Sequence, residues 1–78
     1  MFTGKRFRLA TATLALDFVE GKRRAITLPA DTVVTVVSGP NNGDGIVDVI
    51  WVNGTVAMFQ VDLMQRGTEL NASDYPQL

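Results

Sequence analysis

Apolar positions along this chain come in short β-branched runs broken by turn-forming residues, a pattern of strands rather than helices. The sharpest local signal is Asn53-Gly54 between the apolar runs 47–52 and 55–61. Both central positions of a type I′ turn need positive φ, which Asn-Gly tolerates, so a two-residue hairpin is predicted there. Upstream, Ser38-Gly39-Pro40-Asn41-Asn42-Gly43-Asp44-Gly45 reads as a loop between strands 32–37 and 46–52. Alternation of Phe7, Leu9, Thr11 and Thr13 with Arg6, Arg8, Ala10 and Ala12 predicts an opening strand over 6–13. Segments 16–19 and 24–28 flank Glu20-Gly21-Lys22 and predict a long irregular hairpin, after which Pro29-Ala30-Asp31 turns the chain. Asp62 to Gly67 reads as one helical turn closed by glycine, 68–70 as a last short strand, and 71–78 as a polar, disordered tail.

This order predicts an all-β domain over residues 1–70, a five-stranded SH3-like barrel with one short helical turn. An Asn53-Gly54 turn sets Val52 opposite Thr55, Trp51 opposite Val56, Ile50 opposite Ala57, Val49 opposite Met58 and Asp48 opposite Phe59. One hairpin face then carries Val47, Val49, Trp51, Val56, Met58 and Gln60. The other carries Ile46, Asp48, Ile50, Val52, Ala57, Phe59 and Val61. Both faces are apolar, where a half-solvated sheet alternates apolar with polar. Either a bulge shifts the pairing partway, or one face packs against another subunit. The second reading predicts a homo-oligomer with Ile50, Trp51, Val56, Met58 and Phe59 as the candidate interface.

Composition narrows the chemistry. With 78 residues the chain supports one core, and 46% hydrophobic against 19% charged residues favours folding. There is no cysteine and no histidine. Disulfides are therefore excluded, the usual nucleophile and base pairings are missing, and a structural zinc site is not expected. No cofactor or metal is expected. The Asn41–Asp48 region lacks the alternating oxygen ligands and terminal glutamate of a calcium loop. No apolar run approaches the ~20 residues of a membrane-spanning helix. No signal segment is read at the N-terminus, and with the lack of cysteine this suggests a cytoplasmic location and no membrane partner. Although the net charge is −1, Lys5, Arg6, Arg8, Lys22, Arg23 and Arg24 all precede residue 25. If the opening strand and first hairpin bring them together, they form a candidate anion or nucleic-acid patch. Solvated strand ends are the simpler account. Trp51, the only tryptophan, is a candidate ligand-binding aromatic, though its apolar neighbours favour a core or interface position.

From 31 to 66 the chain resembles the plasmid-borne type II dihydrofolate reductases, SH3-like barrels that assemble as tetramers around a shared pore. The resemblance lies in Asp31-Thr32-Val33, Ser38-Gly39, Gly45-Ile46-Val47 with Trp51, and Val56-Ala57-Met58-Phe59-Gln60-Val61 leading to Arg66. It implies the barrel and the tetramer. Where that family's pore strand carries Val-Gln-Ile-Tyr this chain has Val56-Ala57-Met58-Phe59, and where it carries a basic pair before Ser-Gly this chain has Val36-Val37. The ligand-contacting amide, phenol and cations are thus replaced, so reductase activity is not expected. The chain also resembles, more loosely, small uncharacterised bacterial barrel proteins. Three functions follow as expectations: a non-enzymatic, self-associating SH3-like interaction module with an unidentified partner, a nucleic-acid-binding barrel, and a diverged reductase-like tetramer.

Overall fold

A computed structural model describes residues 3–40, 43 and 45–70. The tail 71–78 and the asparagine-rich part of the loop, with the calcium-loop positions Asn41, Asn42 and Asp44, lie outside the described residues. Among the described residues, seven strands and one helix follow in the order β1 (Arg6–Leu9), β2 (Thr13–Val19), β3 (Lys22–Leu28), β4 (Val33–Ser38), β5 (Ile46–Trp51), β6 (Gly54–Phe59), α1 (Gln60–Arg66) and β7 (Gly67–Leu70). They form one antiparallel sheet ordered β3-β2-β6-β5-β4-β1-β7. The protein is all-β apart from α1, and the expected five-stranded closed barrel is replaced by a seven-stranded sheet that does not close.

Two local events account for the extra strands. The expected opening strand breaks after Leu9, where Ala10 donates its N–H to the Arg66 carbonyl and Leu9 exchanges backbone hydrogen bonds with Thr32 and Asp31. Ala10, Thr11 and Ala12 are exposed, and the strand pattern resumes at buried Thr13. The hairpin that follows is regular. Val19 pairs with Lys22 across Glu20-Gly21, whose φ values of 53° and 78° define a type I′ turn, and pairing runs unbroken to Thr13 opposite Leu28.

Each strand turns one face inward. Phe7 and Leu9 of β1, Ala15 of β2, Leu28 of β3, Val34 and Val36 of β4, Val47 and Val49 of β5, Val56 and Met58 of β6, and Leu63 of α1 form a single buried cluster. Strands from both ends of the sheet reach one core only because the sheet bends over its own inner face. Helix α1 contacts β2 and β6 on one side and β1 and β7 on the other, so it spans the seam that the sheet leaves open. Its ends suit their positions: Asp62 lies in the first turn, Arg66 in the last, and the Gly67 N–H donates to the Leu63 carbonyl. Among the described residues, no helix is long and apolar enough to cross a membrane.

The β5–β6 hairpin forms, with its turn one residue earlier than expected. Trp51 pairs with Gly54, so Val52 and Asn53 occupy the turn and keep negative φ, while Gly54 takes φ 127°. It is not type I′. The pairs become Ile50 with Thr55, Val49 with Val56, Asp48 with Ala57, Val47 with Met58 and Ile46 with Phe59. Moving both strands by one position preserves parity, so each residue stays on the face expected of it.

Candidate functional site

The inner hairpin face is core. Val56 (5% exposed) and Met58 (0%) pack inside the single chain, which removes them as candidate interface residues. Sequence spacing identified two apolar faces and gave no ranking between them. The core is set by the inward residues of β1, β4 and α1, which lie outside the hairpin.

The outer face carries the remaining candidates. Ile50 is 47% exposed, Phe59 is half-buried, and the surface extends onto β2 because Leu16 pairs directly with Ala57. Alternation places Leu14 and Phe18, both exposed, on the same side as Leu16, toward Phe59 and Thr55 respectively. Only Asp48, which accepts a hydrogen bond from the Ser38 hydroxyl at 2.8 Å, interrupts this surface with a charge on β5. Leu14, Leu16 and Phe18 were not singled out from the sequence. Their pairing with β6 crosses 41 residues and leaves no local signal.

A groove opens on the inner side of the β2–β3 hairpin. It has a volume of about 350 Å³ and is lined by Asp17, Arg24, Ile26, Thr27, Trp51, Asn53, Thr55 and Val56. It exists because β2 pairs with β6 only at Leu16 and Ala57, after which the hairpin diverges from the β5–β6 turn. Trp51 is half-buried, packs against the core through one side and lines the groove with the other. At the opposite wall an Arg24 guanidinium nitrogen lies 3.6 Å from an Asp17 carboxylate oxygen, and the other oxygen of Asp17 accepts the Phe18 N–H at 2.8 Å.

The basic residues separate into two groups. Lys22, Arg23 and Arg24 lie on β3, at one edge of the sheet, and Arg6 and Arg8 on β1, next to the other edge. The strand order does not place the two groups on neighbouring strands. Lys5 pairs with Glu69 at 3.1 Å, a contact that reduces the field of the β1 group. On the hairpin, the Arg23 guanidinium sits 5.6 Å from the centre of the exposed Phe18 ring. Among the described residues no cluster of three or more acidic side chains could hold a metal ion. Comparison with known proteins yields no matching family model, no matching curated protein and no matching solved structure.

Proposed function

We propose that this chain is a non-enzymatic, SH3-like interaction module that self-associates through the outer face of β2, β6 and β5. Support for the SH3-like reading is the chain order: a short strand, a long hairpin excursion, a three-strand meander β4-β5-β6, a helical turn and a closing strand. Five of the seven strands, β1, β4, β5, β6 and β7, then correspond to the barrel strands, and β2–β3 is the excursion between the first two. The observation that carries self-association is the continuity of Leu14, Leu16, Phe18, Ile50 and Phe59 across strands joined by the Leu16–Ala57 pairing. Contiguous exposed apolar surface, unlike apolar residues scattered singly, marks a contact site. A two-fold arrangement buries the same patch on each copy.

The experiment is native mass by light scattering at two concentrations and two salt levels, on nucleic-acid-free protein. A multimer that Ile50→Glu converts to a folded monomer supports the proposal, and a monomer under all conditions overturns it.

A second reading, nucleic-acid binding, is favoured by one arrangement: exposed Phe18 beside Arg23, with Lys22 and Arg24 on either side in the chain. An aromatic ring beside a guanidinium suits a stacked single-stranded base, with Lys22 and Arg24 on the opposite face of the ribbon. Its signature is oligonucleotide binding that weakens steeply with salt and is lost in Phe18→Ala.

A further inference from the structure

Among the described residues β3 has a neighbouring strand on one side only. Its turn determines which backbone groups face the open side. Val19 and Lys22 close a two-residue hairpin, and the closing pair of such a hairpin exchanges both of its hydrogen bonds. Since pairing continues without a bulge, Lys22, Arg24, Ile26 and Leu28 direct their N–H and C=O groups to β2. Arg23, Ala25 and Thr27 direct theirs outward. The same alternation turns Leu16 away from β3, and Leu16 is the residue of β2 that pairs with β6.

The edge is accessible and charged. From Lys22 to Ala25, and again at Thr27, every residue of β3 is exposed. Lys22, Arg23 and Arg24 are consecutive, and Arg24 shares its charge with Asp17 over a loose 3.6 Å while remaining 63% exposed. Two copies of this edge, paired antiparallel about Ala25, would set the two Arg24 side chains at diagonal positions on one face, where like charges repel. An acidic strand meets no such repulsion, so charge selects the occupant. Beneath the edge, on the side of Arg24 and Ile26, lies the groove bounded by Thr27, Trp51 and Val56. Side chains of an added strand alternate between the faces, and those on the Arg24 side fall over that groove.

We propose that β3 accepts an acidic, extended segment of a partner protein as an additional strand, with one bulky apolar side chain of that segment seated in the Trp51 groove. Main-chain hydrogen bonds to Arg23, Ala25 and Thr27 supply affinity, and the groove and the cations supply selectivity. The proposal concerns the edge and inner side of the hairpin, so it stands or falls separately from self-association through the outer face.

The test uses the whole chain with a panel of ten-residue peptides in which Glu alternates with Val and a single Leu or Trp is moved along the sequence; a matched panel carries Lys for Glu. Binding is read from Trp51 fluorescence, with tryptophan-containing peptides read by amide NMR, and from amide hydrogen exchange. A Glu peptide that slows exchange at the Arg23, Ala25 and Thr27 amides, and weakens with salt, supports the proposal. Ala25→Pro is the key variant. Proline is tolerated at an edge position whose N–H faces outward, so the hairpin persists while a donor is lost and the approach is blocked. It weakens binding about tenfold or more, the loss of one well-made hydrogen bond or greater. Lys22→Glu with Arg23→Glu reverses the preference between panels. No protection by any Glu peptide, equal binding of the Lys panel, or binding unaffected by Ala25→Pro in a folded variant overturns the proposal. So does protection of the same amides by oligothymidylate alone, or by raising the concentration of free protein. The native mass measured beside each titration separates these results from any failure of outer-face association.

Discussion

Truncating one residue on each face of the β5–β6 hairpin separates core from contact surface. Met58 is fully buried opposite Val47, so Met58→Ala removes most of an apolar side chain and leaves a cavity bounded by strands that relax only partly. Such a change costs about 2–5 kcal/mol. A domain of this length is stable by roughly 4–12 kcal/mol, so the variant sits close to its unfolding threshold. Its melting midpoint should fall by roughly 10–20 °C at a loss of about 2.5 kcal/mol. Ile50, three pairs along the ladder and on the other face, is already half in solvent. In the monomer Ile50→Ala should cost no more than about 0.5–1 kcal/mol. The assay is urea unfolding followed by Trp51 fluorescence and far-ultraviolet dichroism, at two protein concentrations tenfold or more apart. If Ile50 lies in a subunit contact, the wild-type midpoint rises with concentration and the Ile50→Ala midpoint rises less. Equal costs for the two truncations in a protein shown to be monomeric would refute the assignment of faces.

Glu20 holds φ 53° in the β2–β3 turn, a conformation that asparagine adopts more readily, so Glu20→Asn should stabilise the fold by about 0.5 kcal/mol in the same urea assay. At Gly67 an added Cβ would lie 2.6 Å from the Leu63 carbonyl oxygen and 3.3 Å from the Phe7 Cβ, so Gly67→Ala should destabilise by about 1–3 kcal/mol and loosen α1 from β1. Thr13 is 2% exposed and donates its hydroxyl to the Thr11 carbonyl at 2.8 Å. Thr13→Val should therefore lower stability by about 1 kcal/mol and speed amide exchange between β1 and β2. The Lys5–Glu69 pair has side chains 40% and 48% exposed, and Lys5→Ala should shift the midpoint by less than about 0.5 kcal/mol, with little dependence on salt.

Element order was legible because this chain punctuates its strands strongly. Glycine, proline and asparagine mark the loop before β5, and Asp62 to Gly67 carries the composition of a capped turn. Turn type was less legible. Asn53-Gly54 has the stronger type I′ signature, yet the type I′ geometry occurs at Glu20-Gly21, while the β5–β6 ladder closes one residue earlier, at Trp51 and Gly54. Face membership survived that shift, since parity depends only on alternation. What alternation cannot supply is which apolar face the rest of the chain covers, so the pattern alone does not distinguish buried Met58 and Val56 from interface residues. The groove was illegible for a related cause. Asp17 and Arg24 are neighbours through the hairpin, but Trp51 joins them only because β2 crosses to β6 at a single pair.

That single pair also has a consequence for how the chain tolerates change in length. The β2–β3 ribbon is anchored at its base by buried Thr13, Ala15 and Leu28 and by Leu16 against Ala57, while its distal rungs carry no core residue. Adding or deleting two residues on each side of Glu20-Gly21 keeps a hydrogen-bonded pair at the turn, preserves which side chains point inward and leaves every buried contact in place. Ribbon length is thus free to drift while the body of the sheet stays constant. Each added pair of rungs beyond Lys22 and Val19 lengthens the open edge by two residues, making the hairpin the part of the molecule where reach and partner preference are adjusted without renegotiating the fold.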